Sequence, residues 1–467
     1  MSGINYKIIN LETIEEAVYN LCFKANVYLN KNSYSKILSE YKSSKDKSQK
    51  EILANILKNA KLAYDLKRPL CQDTGQVLVF LEIGQEVIIS GGDLKEGVNR
   101  TVQKCYCDNF FRKSVVINAL FDRTNTKTNT PAIIYTDIVE GDKIRIDVLI
   151  KGAGSENKSS VIMALPTSTK EEIKDLIVNS VLSSGLNSCP PLFIGIGIGQ
   201  TLEGSAVLSK KALLKNEMSE EEKEFSQLIK KELNNKAPNE YKGIYTLDVK
   251  MLSSSTHIAS MPVGITINCH SLRELGCEID GNKITYDETI TDFEEIKETE
   301  ESGKEVFTGN SSEVRSLKEG ERVLLTGEIY VARDEAHKRM YALMKENKPL
   351  PIEIKNKIIF YAGPCPSKPG EITGPIGPTT AGRMDRYSFD LYKRGLLGTI
   401  GKGQRSPELR ECIRENRGVY FSMQGGIASL VKQCVKRAEI IAFPELGAEA
   451  IYKLYVEKMP VLVDIAP

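Results

Sequence analysis

The sequence has no tryptophan and only three histidines, His257, His270 and His337, in 467 residues. Three dispersed imidazoles make a site of histidines alone a poor expectation, so a transition metal here would need thiolate ligands. No C-x-x-C pair occurs, which removes the short-range pattern of zinc ribbons and thioredoxin-like redox sites. No run of about 18 apolar residues occurs, so no membrane span is expected. The start, MSGINYKIINLETIEEAV, lacks the basic-then-apolar profile of a secretory signal. Charge imbalance is also missing: 63 basic residues face 62 acidic ones, for a net +1. That balance argues against nucleic-acid or membrane-surface binding driven by bulk charge. A cytoplasmic location follows as the expectation, with the ten cysteines serving as thiols or metal ligands rather than disulfides.

What is present is a globular composition, 41% hydrophobic and 27% charged, on a chain longer than one core usually supports. Residues 11–66 carry apolar residues three and four apart and read as helices, with Cys22 on the apolar face. After Cys71 the pattern changes to short apolar runs punctuated by glycine, VLVFLEIG and EVIISGG, which read as strands. A helix is expected over 94–107, strands in PAIIYTDI and KIRIDVLIKG, and a glycine-serine loop over 152–160. A helix over 170–184 then leads to PLFIGIGIG, a buried strand ending in a glycine turn. GIGIGQT lacks the third glycine and the acidic partner of a dinucleotide fingerprint, so NAD is discounted. Residues 283–310 are acidic and poor in core residues and read as a linker. Beyond them strands and helices alternate, including a helix through GGIASLVKQCVKR. The expected fold class is α/β (mixed α+β): a larger N-terminal domain, 1–282, and a smaller C-terminal α/β domain, 311–467.

Two sets of residues carry chemistry. Cys71 (RPLCQDTG), Cys189 (NSCPPLFIGIGIG) and Cys269 (PVGITINCHSLRE) each border an apolar strand-like run beside a turn. Their wide spacing identifies no metal by pattern. Cys105 and Cys107 would point about 200° apart on a helix, so a shared metal there is not expected. The second set is cationic: Arg112 in NFFRKS, Arg333 and His337 in VARDEAHKRM, Thr379 with Arg383 in GPTTAGRMD, and Lys402 in GTIGKGQ. Glycines around a cation let backbone and ligand approach closely, and several such loops would suit a small polycarboxylate.

Eleven stretches in order, CQDTG, FRKSVV, FDRTNTKTNTPA, KGAGSENKS, CPPLFIGIGIGQT, STHIASMPVGITINCH, ARDEAHKR, YAGPCP, IGPTTAGRMD, IGKG and ELGAEAIYKLYVEKMPVLVDI, span nearly the whole chain. With them the sequence resembles the class I, iron–sulfur-dependent fumarate hydratases and the related L-tartrate dehydratases, with the α and β parts fused. The resemblance implies Cys71, Cys189 and Cys269 as ligands of a [4Fe–4S] cluster in the N-terminal domain. It implies Gln72, Asp73, Arg112, Gly154, His257, Arg333, Thr379, Arg383 and Lys402 around a dicarboxylate. Three thiolates would leave one iron open as a Lewis acid. Fixed cations would stabilise the negative charge that develops when the C3 proton leaves. Thr379 is the candidate base, Asp73 its rival or partner, and His257 could orient or protonate substrate. The family's GGG is Gly152-Ala153-Gly154 here, a departure that bears on Gly154. The implied activity is reversible hydration of fumarate to (S)-malate by a homodimer. The alternatives are L-tartrate or a methylated dicarboxylate as substrate, an iron–sulfur redox or sensor protein, and a protein whose cysteines all pack in cores.

Overall fold

The structure is a computed structural model that describes residues 6–183, 185–215, 217–296 and 303–467. The chain divides into two compact units: Met1–Leu53 with Ala63–Glu294, and Ala54–Leu62 with Glu295–Pro467. The class is mixed α/β, as expected. No helix among the described residues is long and apolar enough to cross a membrane.

The first unit opens with helices Leu11–Val27 and Lys31–Ser43 and holds both ends of helix Lys47–Leu66, whose stretch Ala54–Leu62 belongs to the second unit. Asn30 and Asp46 cap the second and third, their side chains accepting from Ser33 N and Gln49 N, which satisfies donors that a helix start leaves open. The first helix buries Ile14, Val18, Leu21 and Cys22 against a five-stranded mixed sheet. Its order is Lys283–Tyr286, Glu274–Asp280, Ile144–Lys151, Gln76–Gly84, Ile133–Val139. A second, four-stranded sheet runs Ser160–Met163, Pro262–Cys269, Leu192–Gln200, Thr246–Thr256. Helix Leu202–Leu214 lies directly on it. A Cβ at Gly195 would stand 2.1 Å from Ser209 O, and one at Gly197 2.4 Å from Ser205 O. The glycines inside GIGIG thus admit a helix, not a phosphate.

Register fixes the two ends of this sheet. Leu192 pairs with Cys269, and Cys189 stands just before Leu192. At the other end Gln200 pairs with Thr256, and His257 follows.

The second unit is a seven-stranded sheet ordered Lys304–Phe307, Arg322–Val331, Ile358–Phe360, Gly398–Gly401, Val419–Ser422, Ile451–Ile465, Val435–Ala442. The first five run parallel. Ile451–Ile465 also pairs back onto Arg322–Val331, so five of the strands close a ring. Helices Asp334–Lys345, Asp385–Lys393 and Pro407–Glu415 occupy the crossovers.

Several local expectations change. The helix through GGIASLVKQCVKR stops at Cys434, because Val435–Ala442 pairs with Ile451–Ile465. The 152–160 loop holds a helical turn, Ala153–Glu156, and the start of a strand. Within 283–310, Lys283–Tyr286 joins the first sheet and Lys304–Phe307 the second. Both are edge strands, where charged side chains are tolerated and hide the strand signal. Residues 297–302 of that stretch lie outside the described residues.

Candidate functional site

In the first unit the Cys71–Gly75 turn is held by the two motifs that follow it. Thr74 Oγ1 donates to Arg112 O at 2.7 Å, and Asn129 Nδ2 donates to Gly75 O at 3.0 Å. Gly75 has φ +65°, and a Cβ there would meet Lys151 O at 2.6 Å. The fixed turn presents Asp73. One of its oxygens pairs with Arg112 Nη2 at 3.0 Å and accepts from Gly75 N at 3.3 Å; the other accepts from Ala153 N at 2.9 Å. Ala153 is exposed and half-buried Gly154 follows it in the same helical turn, so the methyl that replaces a family glycine falls on an exposed residue. Gln72 is buried, and its Oε1 accepts from Cys71 Sγ at 3.5 Å.

Two buried cations underlie this turn. Arg273 Nη1 donates to Asp73 O. Lys151 Nζ donates to Ile267 O at 2.6 Å and Asn268 Oδ1 at 3.1 Å, clasping the strand just before Cys269. Burial pushes the Cys71 thiol up; the Arg273 guanidinium pulls it back, and the Cys269 and Asp73 charges oppose that pull. Burial pushes Lys151 down to about 7. Burial would raise Glu156, but Lys151 and Lys210 outweigh it and hold the carboxyl below its ordinary range.

Cys71 therefore feels the charge of Cys269, and Cys189 stands at the same end of the sheet as Cys269. Among the described residues no three His, Cys, Asp or Glu side chains converge as ligands of one ion. Cluster thiolates do not need to converge, because each takes a different iron. Soft donors above the buried cations Arg273 and Lys151 fit an anionic iron–sulfur group.

His257 lies elsewhere. It occupies an exposed turn after Thr256, where its Nδ1 accepts from Ala259 N at 3.1 Å. Eight strand residues separate that level from Cys269's, about 26 Å. Within one chain it does not join Cys71, Cys189 and Cys269, contrary to the single cluster of residues expected from sequence. Its motif borders the strand that carries Cys269, but at the far end.

In the second unit the cations gather at the carboxyl ends of parallel strands, where α/β sheets place ligands. Arg333 follows Arg322–Val331 and Lys402 follows Gly398–Gly401. Thr379 N donates to Tyr361 O at 2.7 Å, and Lys402 N to Thr379 O at 3.1 Å. The turn Ala381–Met384 brings Arg383 back over Thr379, so that Arg383 Nη2 donates to Thr379 Oγ1 at 2.6 Å and meets Asp334 Oδ2 at 2.9 Å. Arg333 Nη2 donates to Glu449 Oε1 at 2.7 Å. Below, buried Arg405 ties Asp385 and Ser388 together. All four residues expected from this half are thus brought together. Sequence reasoning missed Lys151, Arg273, Asp334, Arg405 and Glu449. Four of them stand inside quoted motifs, but nothing about a single acid or base announces a buried partner.

A family model described as "Fumarate hydratase (Fumerase)" matches residues 15–278, and one described as "Fumarase C-terminus" matches residues 282–466. The chain belongs to the Fumerase family. Among Fumerase relatives, the Escherichia coli (strain K12) "Fumarate hydratase class I, anaerobic" is 32% identical over 455 residues, covering 89% of this chain and 82% of its own. The Leishmania major "Fumarate hydratase 1, mitochondrial" is 28% identical over 90% of this chain and 82% of its own. A Methanocaldococcus jannaschii "Putative L(+)-tartrate dehydratase subunit alpha" is 34% identical over 55% of this chain and 94% of its own.

Proposed function

We propose that this Fumerase is a hydro-lyase that reversibly hydrates fumarate to (S)-malate, with a [4Fe–4S] cluster on Cys71, Cys189 and Cys269. The observation that carries the reading is the Arg383–Thr379 contact of 2.6 Å beside Arg333 and Lys402. When bound, the cluster supplies a Lewis-acidic iron with an open position. The chain's own residues do the rest. Arg112, Arg333, Lys402, Gln72 and the turn at Gly154 bind and orient the two carboxylates. Thr379 takes the C3 proton. In the hydration direction its hydroxyl gives C3 a proton, and the Arg383 hydrogen bond stabilises the alkoxide left behind, which takes the proton back in dehydration. Asp73 is less suited to that role, since its oxygens already accept from Ala153 N, Gly75 N and Arg112; it holds Arg112 and the 153 turn in place.

We further propose a cytoplasmic homodimer working in central carbon metabolism, as in the tricarboxylic acid cycle. His257 enters the reaction from the partner copy, since its own chain's thiols lie at the far end of the sheet. Mixing His257→Asn chains with Thr379→Ala chains should then restore activity that neither variant has alone; mixed dimers that recover none would return His257 to its own chain's site, and a His257→Asn protein with wild-type kcat would remove it from the mechanism.

The nearest alternative is L-tartrate. The tartrate-named relative matches only part of this chain, so that half does not separate the two substrates. Anaerobic turnover of fumarate and L-tartrate, side by side on iron-reconstituted protein, decides. Faster fumarate hydration is expected; faster tartrate loss would reassign the substrate, and a colourless protein that turns over neither would end the hydro-lyase reading.

A further inference from the structure

We propose that Glu449 and Gly363 form a seat that fixes the Arg333 guanidinium for a substrate carboxylate, an inference that rests on the hydro-lyase reading. Arg333 is the N-cap of helix Asp334–Lys345, yet its side chain makes no capping bond. Glu449 does that from a distance: its Oε2 accepts from Glu335 N at 2.8 Å, in the helix's first turn. Its Oε1 takes Arg333 Nη2 at 2.7 Å. One carboxylate therefore fixes both the start of the helix and the head of the arginine that begins it. Gly363, just past strand Ile358–Phe360, closes the other side. A Cβ there would lie 2.9 Å from Arg333 Nε and 3.0 Å from Cζ, so the guanidinium rests against bare backbone. The Arg333 and Glu449 side chains are only 14% and 26% exposed, so the pair is not a freely solvated surface bridge.

A guanidinium has five N–H donors in a rigid plane. Held at one edge by Glu449 and backed by Gly363, it loses little rotational freedom when it meets a carboxylate. The charge of Glu449 works against this, because a nearby carboxylate repels a dicarboxylate. Orientation and electrostatics therefore predict opposite signs for its removal.

The test is the affinity of succinate, a dicarboxylate without the reacting bond, measured by calorimetry on iron-reconstituted protein. Glu449→Gln keeps the shape and an oxygen for Glu335 N. The seat predicts about tenfold weaker succinate binding, the size of one lost charge-assisted hydrogen bond. Equal or tighter binding overturns it, as does a wild type that binds no succinate. Gly363→Ala changes no charge but crowds the guanidinium together with the Ala448 carbonyl oxygen, 2.7 Å from the added methyl, and should weaken binding likewise; wild-type affinity in a folded Gly363→Ala protein also overturns the seat. A purely structural role would lower Tm in both variants and leave the dissociation constant unchanged, again against the proposal. Wild-type protein that binds succinate more tightly than Glu449→Gln, yet turns over neither fumarate nor tartrate, would sink the hydro-lyase reading and leave the seat standing.

Discussion

The first unit holds its Asp73 turn with backbone: Thr74 and Asn129 bond to main-chain oxygens, and Gly75 admits Lys151 O against the chain. The second unit holds its cations with carboxylates, Glu449 on Arg333 and Asp334 on Arg383. The difference suits two kinds of ligand. Thiols that share a multi-iron group need fixed spacing, and buried backbone gives the stiffest spacing. Arginines that meet a mobile dicarboxylate need orientation without losing their charge, and a one-edge carboxylate contact provides it. On this view iron retention belongs to the first unit and proton transfer to the second.

The sharpest way to break that division is a cysteine contrast. Cys269→Ser should abolish bound iron, its visible absorption and turnover, whereas Cys22→Ser, in a helix core at 0% exposure, should keep all three. Equal iron content in the two variants would remove the ligand assignment. Next in size, Thr379→Ala should lower kcat by about 10²–10⁴-fold, the usual worth of a general base, with iron per chain unchanged. A loss of iron in Thr379→Ala would dissolve the division between the units; a kcat within a few-fold of wild type would pass the base to Asp73.

The legible part of this molecule was its periodic part. Helices over 11–66 and the strands bordering Cys71, Cys189 and Cys269 follow from apolar spacing, and Cys22 packs as its helical face requires. Motif content carried Arg333, Thr379, Arg383 and Lys402, which the fold brings to one set of strand ends. Arg273 and Lys151 were not legible, because a single cation in a strand or turn reads as solvated until long-range pairing buries it. Glu449 was hidden by distance: it lies 449 − 333 = 116 residues from the arginine it holds. His257 shows the opposite failure. It sits in a matching motif, but strand register carries it to the other end of its sheet, and no local pattern reports register.

The smallest effect expected is on stability, and it tests whether the second unit's site floor is as dry as its contacts imply. His337 is wholly buried, its Nδ1 on Arg333 O at 3.0 Å and its ring edge-on to Tyr361. Burial pushes its imidazole from 6.5 down to about 4. Between those values the unfolded chain holds a proton that the folded chain does not, so unfolding free energy rises with pH across that window and falls on acidification. The group's share is about 3 kcal/mol at most. Urea unfolding between pH 4 and 6.5 should therefore show a steeper pH dependence in wild type than in His337→Phe, which keeps a ring against Tyr361 and cannot titrate. Carboxylates protonated in the same window add their own slope to both proteins, so the difference between the slopes carries the result. Parallel slopes would mean that His337 takes up its proton at an ordinary pH, and that water reaches the floor beneath Arg333.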